Sequence, residues 1–190
     1  MEDKKYILTD ETMEFDGHKL YRIKATKDFY CIKKDDLGGW IESEDNLSQF
    51  GNCWVSDEAM VYGNARVLGN ARVLGDAWVY GNAKVFDDAE VWGFARINGN
   101  AKIFDRGEVC DHAHICGNAE IESKDDYLVY KNTWSSRRYF TWTRSNNMWK
   151  VGCFYGTGEE LIKKAYKDNE TKGKCYEAIV NATKLISNID

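Results

Sequence analysis

Alanine returns every six residues through the middle of this chain, at 59, 65, 71, 77, 83, 89, 95, 101, 113 and 119, with Gly107 in the one skipped place. A β-branched residue stands two positions after each, from Val61, Val67 and Val73 through to Ile115 and Ile121. A period of six matches neither the 3.6 of a helix nor the 2 of a two-sided strand. It matches a three-sided coil in which each hexapeptide makes one short strand and one corner. Val and Ile then point inward, small Ala fits near the corner, and pairs such as Gly63-Asn64, Gly75-Asp76 and Gly81-Asn82 supply the positive φ of a tight corner. Counted from Val55 to Ile121 the chain holds twelve such units, four coils of three. At roughly 4.8 Å per stacked strand, that prism is about 19 Å tall.

An open coil exposes an apolar end and unpaired strand edges, so it needs caps. Residues 1–46 read as the first cap, with strands at Tyr6-Ile7-Leu8 and Lys19–Ile23 around the turn Asp16-Gly17-His18. Residues 47–122 read as the coil. Residues 123–190 exceed what a cap requires and read as a small α+β module, with strands near 127–131, 138–144 and 148–155 and two helices after them. Thr157 and Glu160 stand in capping-box spacing at the first helix, which buries Leu161, Ile162 and Ala165. The second runs from about Lys172 to Ser187, with Tyr176, Ile179, Val180, Thr183 and Ile186 along one face. The expected fold is mainly β: a short parallel β-helix of about four coils with an N-terminal β cap and a C-terminal α+β module.

The Val-x-Gly-Asn-Ala-x units resemble the hexapeptide-repeat family, and that resemblance implies a left-handed coil, which spacing alone does not fix. More narrowly, Asp36-Leu-Gly-Gly-Trp-Ile-Glu and Thr141-Trp-Thr-Arg-Ser-Asn-Asn-Met-Trp are similar to phage and prophage hexapeptide-repeat proteins of no assigned activity. This narrower likeness implies a counter-defence role, such as capturing a nucleotide signal or blocking a host defence protein that handles nucleic acid. The absence of any long apolar run argues against a membrane partner, and the opening Met1-Glu-Asp-Lys-Lys lacks the apolar stretch of a secretory signal. Six cysteines without a C-x-x-C pair read as free thiols, and the expected location is the cytoplasm, the host's if phage-encoded.

Charge is distributed unevenly. The whole chain carries −5, yet residues 127–156 hold Lys131, Arg137, Arg138, Arg144 and Lys150 and no acid, a local +5. Nine aromatics share the stretch, Trp134 among them. Cations attract phosphate and indole faces stack bases, so the combination suits a nucleotide, a single strand or another anionic small molecule. The expected ligand-binding residues are Arg138, Trp142 and Arg144, with Asn146 and Trp149 beside them. A strand over 138–144 places Arg138, Phe140, Trp142 and Arg144 on one face. The alternative is that this face packs against the helices and the cations are merely solvated.

Two other motifs are weaker. Tyr155-Gly-Thr-Gly-Glu-Glu opens a helix as a phosphate loop does, but Glu159 and Glu160 already occupy the positive helix end, so it reads as a plain helix start. Cys110-Asp-His112-Ala-His114-Ile-Cys116 has zinc's ligand types. Residues six apart lie on successive faces of a prism, however: Cys110 stacks over Trp92 and Cys116 over Asn98, so no metal is expected. His112 or His114 could serve as the general base of a hexapeptide-repeat acyltransferase, although no loop insertion interrupts the repeats. Outward apolar positions after each inward Val, such as Tyr62, Leu74, Phe86, Trp92 and Phe104, require covering by terminal segments or by another subunit, and so imply a homo-oligomer, trimer or dimer. The reading is a non-enzymatic binding protein without a cofactor. An acyltransferase and an assembly scaffold with protein contacts only are the alternatives.

Overall fold

The computed structural model describes residues 4–133 and 137–187. The chain divides into two compact units, residues 1–124 and 125–190.

The first unit opens with a long hairpin, β1 (Tyr6–Phe15) and β2 (His18–Ala25), closed by Asp16 and Gly17 at φ 50° and 80°. Two consecutive left-handed residues are what a two-residue turn between twisted strands demands. Strand β3 (Leu37–Ile41) pairs antiparallel with β2 on one edge and parallel with Met60–Val61 on the other. Among the described residues, twelve two-residue strands follow, β4 to β15, from Trp54–Val55 to Glu120–Ile121. Each pairs in parallel with the strand eighteen residues away, as in Val61 on Val79 and Val85 on Ile103. The result is the expected hexapeptide-repeat β-helix, mainly β, with a strand-only cap.

The coil interior is a column of fully buried Val and Ile with the repeat alanines beside them. The corners use positive φ, mostly at Gly, with Asp57, Asp87, Asp105 and Asp111 substituting at φ between 53° and 57°. Asp tolerates this region because its short polar side chain can bond locally. Outside the corners, amides stack in hydrogen-bonded ladders: Asn64 donates to Asn82, Asn82 to Asn100 and Asn100 to Asn118, at 3.0–3.1 Å.

The coil is about one turn longer than the repeat count gives. Ile41 stacks on Val61 and Leu47 bridges to Val67, so Ile41, Leu47 and Val55 form a first turn before the regular ones. Ile41 and Leu47 keep the six-residue step, but two extra residues between Leu47 and Val55 break it. Gly39 takes the alanine slot of this turn, where a Cβ would come within 2.5 Å of the Ala59 carbonyl oxygen and 2.7 Å of Val55. The hairpin also covers one face of the coil: Phe15 packs edge-on against Tyr62 and Trp78, and Leu20, Trp40 and Tyr62 form a small buried cluster.

The second unit is a four-stranded antiparallel meander with two helices. Its strands are β16 (Tyr127–Lys131), β17 (Tyr139–Thr143), β18 (Met148–Val151) and β19 (Phe154–Gly156). The third expected strand is therefore two, folded back at Gly152, whose φ is 55°. Helix α1 (Gly158–Asp168) starts on a complete Thr157–Glu160 capping box, and α2 (Glu170–Ser187) follows. Leu161, Ala165, Tyr176 and Val180 from the helices meet Phe140, Trp142, Trp149 and Val151 from the sheet. Ile186, expected on the packed face of α2, is about half exposed. Among the described residues, no helix is long and apolar enough to cross a membrane.

Candidate functional site

In the second unit, the core is built from one face of the sheet. Phe140 pairs across to Val151 and Trp142 to Trp149, and all four point toward the helices. The even-numbered face of β17 is therefore the inner one, and the indoles of Trp142 and Trp149 are 4% and 2% exposed. Covering apolar helix residues demands this, because α1 and α2 have no other sheet face in their core cluster. Trp142 Nε1 donates to Asn147 Oδ1 at 2.8 Å, which satisfies the buried indole N–H.

Asn146 fixes the β17–β18 turn. Its Oδ1 accepts from Thr143 Oγ1 at 2.5 Å and from the Met148 N–H at 3.2 Å, and its Nδ2 donates to Tyr155 Oη at 3.3 Å. Arg138 and Arg144 flank β17 and are exposed. Of the five residues expected to bind a ligand, the structure thus exposes the two arginines, packs the two tryptophans inside and uses the asparagine in a turn. The opposite sheet face carries Lys131, Tyr139, Lys150 and Tyr155, with Lys150 in register with both Thr141 and Tyr155. Trp134 lies outside the described residues.

The glycine loop is a helix start. Glu160 Oε2 accepts from the Thr157 N–H at 2.8 Å, and Gly158 is small because a Cβ there would meet Val180 at 2.7 Å. Cys110 follows Val109 and Cys116 follows Ile115, on strands of different sheets, as the spacing implied. His112 is exposed and stacks on Phe94, with ring centroids 4.9 Å apart, and His114 Nε2 lies 3.2 Å from Asn98 Oδ1.

The remaining histidine, His18, sits where sequence spacing gave no hint of a site. It opens β2, and its Nδ1 lies 2.9 Å from Oε1 of Glu42, the residue that follows β3. The other carboxylate oxygen accepts from the Gly63 N–H at 2.7 Å. The hydrogen bond from His18 holds the Glu42 carboxyl below the usual carboxylate range against the opposing effect of burial, with a smaller contribution from the Gly63 N–H. An ionised Glu42 fixes the proton on Nδ1 and leaves Nε2 as the basic nitrogen. No partner for Nε2 is found among the described residues. The dyad borders a cleft of about 540 Å³ that Ser43, Asp45, Asn64 and Arg66 also line. That volume lies within the range of small-molecule sites. The Tyr62 ring lies 5.0 Å from the imidazole, and burial pushes its hydroxyl up to about 12.

No protein-family profile matches the chain. It is similar to the uncharacterized acetyltransferase YdcK of Escherichia coli (strain K12), with 37% identity over 79 residues, 34% of this chain and 24% of that protein. The chain thus spans about a quarter of the length of the curated relative it matches. The repeat coil and this likeness together fit the hexapeptide-repeat family.

Proposed function

We propose that the protein is a binding module: a β-helix carrying an α+β unit whose exposed cations take an anionic ligand. The observation behind this reading is a run of cations with no acid among them, whereas elsewhere many cations, such as Lys4, Arg22, Lys33, Arg72 and Lys102, pair with a carboxylate. Among the described residues, Lys131, Arg137, Arg138, Arg144 and Lys150 have no such pair, and no acid lies within residues 127–156 to supply one. Unpaired exposed cations keep their full charge for an incoming phosphate or carboxylate. With Trp142 and Trp149 packed inside, affinity rests on charge and on Tyr139 and Tyr155 rather than on indole stacking. The phage-like resemblance favours a nucleotide as the anion.

A thermal-shift screen with mono- and dinucleotides, cyclic nucleotides and short oligonucleotides tests this. A ligand-dependent rise in Tm that Arg138→Ala/Arg144→Ala or Lys131→Ala/Lys150→Ala abolishes supports it. No rise with any anion refutes it.

A second reading, acyl transfer, draws on the His18–Glu42 dyad and on the likeness to YdcK. Here His18 Nε2 would take the proton from an acceptor hydroxyl or amine in the cleft, with Glu42 stabilising the imidazolium. Acetyl-CoA consumption that disappears in His18→Ala but persists in His112→Ala and His114→Ala is its signature.

A further inference from the structure

Lys5, the residue before β1, carries its side chain inside the first unit and is 2% exposed. Its Nζ donates to the Cys53 carbonyl oxygen at 2.9 Å and to the Gly51 carbonyl oxygen at 3.4 Å, and lies 3.3 Å from Cys53 Sγ. Cys53, just before β4, is fully buried. Neighbouring bonds fix the placement. The Lys5 N–H donates to Gln49 Oε1 at 2.8 Å, Gln49 Nε2 donates back to the Tyr6 carbonyl at 3.2 Å, and the Tyr6 hydroxyl donates to the Leu47 carbonyl at 2.6 Å. The Phe29 ring lies 5.3 Å from the amine. Nitrogen and sulfur are thus held at the separation of a near-attack pair, about 3–3.5 Å.

Burial disfavours charge on both groups. It lowers the Lys5 ammonium and raises the Cys53 thiol from their ordinary values, which shifts the pair toward a neutral amine beside a neutral thiol. A thiol buried among apolar groups is inert because it keeps its proton. Here the amine is a base within reach of that proton and a nucleophile within reach of the sulfur.

We infer that Lys5 and Cys53 are the site of an oxidative crosslink, a sulfenamide between Nζ and Sγ that forms when the protein meets a peroxide. In the first step the amine takes the thiol proton, the sulfur attacks one peroxide oxygen, and the O–O bond breaks. The departing hydroxide takes the proton from the ammonium and leaves as water. Cys53 is then a sulfenic acid, a species that condenses with a nearby nitrogen. In the second step the Nζ lone pair attacks the sulfur, the S–O bond breaks, and hydroxide leaves as water with an amine proton. One amine, one thiol and one hydrogen peroxide give one N–S bond and two waters, with sulfur oxidised and peroxide reduced. Hydrogen peroxide is little larger than water and reaches the pair through local opening. Added thiols reverse the reaction, regenerating amine and thiol and leaving as a disulfide. The bond joins residues 48 apart, and by restricting the unfolded chain it makes the oxidised form the more stable one. It involves neither ligand reading above.

Peptide mass spectrometry tests it, on protein carrying Cys31→Ser/Cys153→Ser so that these two exposed thiols do not link copies. The folded protein is treated with hydrogen peroxide and digested without reductant. The expected product is a joined pair of peptides, one with Lys5 and one with Cys53, two hydrogens lighter than their sum. Dithiothreitol should release the pair, Lys5→Met should lack it, and the oxidised protein should melt above the reduced one. Cys53 still reduced after peroxide overturns the proposal, as does Cys53 carried on to sulfinic acid with Lys5 free. A joined pair that has kept an oxygen atom overturns the N–S bond. Equal yield from urea-unfolded protein overturns it too, since the folded contact is then not what makes the bond.

Discussion

Replacing Gly107 by alanine should destabilise the protein, although every regular repeat around it has alanine at that place. Repeat consensus argues the reverse, and Gly→Ala at a compatible backbone stabilises by about 0.4–1 kcal/mol through the unfolded chain. The local space decides the sign. A Cβ on Gly107 would come within 2.6 Å of the Ile121 carbonyl oxygen, 3.0 Å of the Phe104 carbonyl oxygen and 3.0 Å of Ile103 Cγ2. Two of these three are backbone atoms held in the ladder, for Phe104 N–H donates to Ile121 O and Gly107 N–H to Phe104 O. They yield only if the last turn of the coil shifts. Overpacking of this kind costs about 1–3 kcal/mol. Set against the unfolded-chain gain, the midpoints of the two ranges leave a net loss of about 1.3 kcal/mol, and at about 2–4 °C per kcal/mol for a chain of this size Tm falls by about 3–5 °C. Calorimetry on the variant and on Ala89→Gly, the equivalent slot one turn earlier, is the assay. Both should melt below wild type. A higher Tm for Gly107→Ala would show that the slot accepts a methyl group and that the contact argument is wrong.

Ile41→Ala should cost about 2–5 kcal/mol, as for any fully buried aliphatic side chain, because Ile41 is inside the coil rather than in a detachable cap; a loss under 1 kcal/mol in urea unfolding would place it outside. Burial lowers the Lys5 ammonium below its ordinary value, so the unfolded chain binds more protons, and stability should rise with pH toward the usual lysine range. Lys5→Met should flatten that rise, and an unchanged pH profile would contradict it. Glu42 is held below the ordinary carboxylate range, so its contribution is present at neutral pH and disappears as acid carries it through its folded pKa. His18→Ala should remove part of that acid-side loss in pH-dependent melting, and an identical profile would mean that the dyad contributes nothing.

The regular coil was legible because each rung repeats the same local chemistry. The first turn was not, because its contacts step by twenty residues, from Ile41 to Val61 and from Leu47 to Val67, with Gly39 where alanine should mark the slot. In the second unit, alternation assigned Phe140 and Trp142 to one face of β17, but alternation is symmetric. It does not say which face meets the helices, and on that point Trp142 and Trp149 stand inside the core. The fourth strand depended on Gly152 reversing the chain within what reads as one apolar run. His18 and Glu42 meet across twenty-four residues, through the return of β2 onto β3, so no short spacing encodes them. Glu42, directly after the apolar Trp40-Ile41 pair, was the one local sign that a carboxylate stood at the edge of the coil.

A coil whose rungs are nearly alike has a translational degeneracy: sliding one stack past another by eighteen residues still sets valine on valine. Nothing in the repeats themselves opposes this slip, since most turns carry the same buried column and the same corners. Strand β3 removes the ambiguity. It is bound antiparallel to the hairpin on one side and can offer only its other edge to the coil, in the one turn where the step is twenty rather than eighteen. The irregular first turn thus acts as the origin from which the position of every later rung is counted.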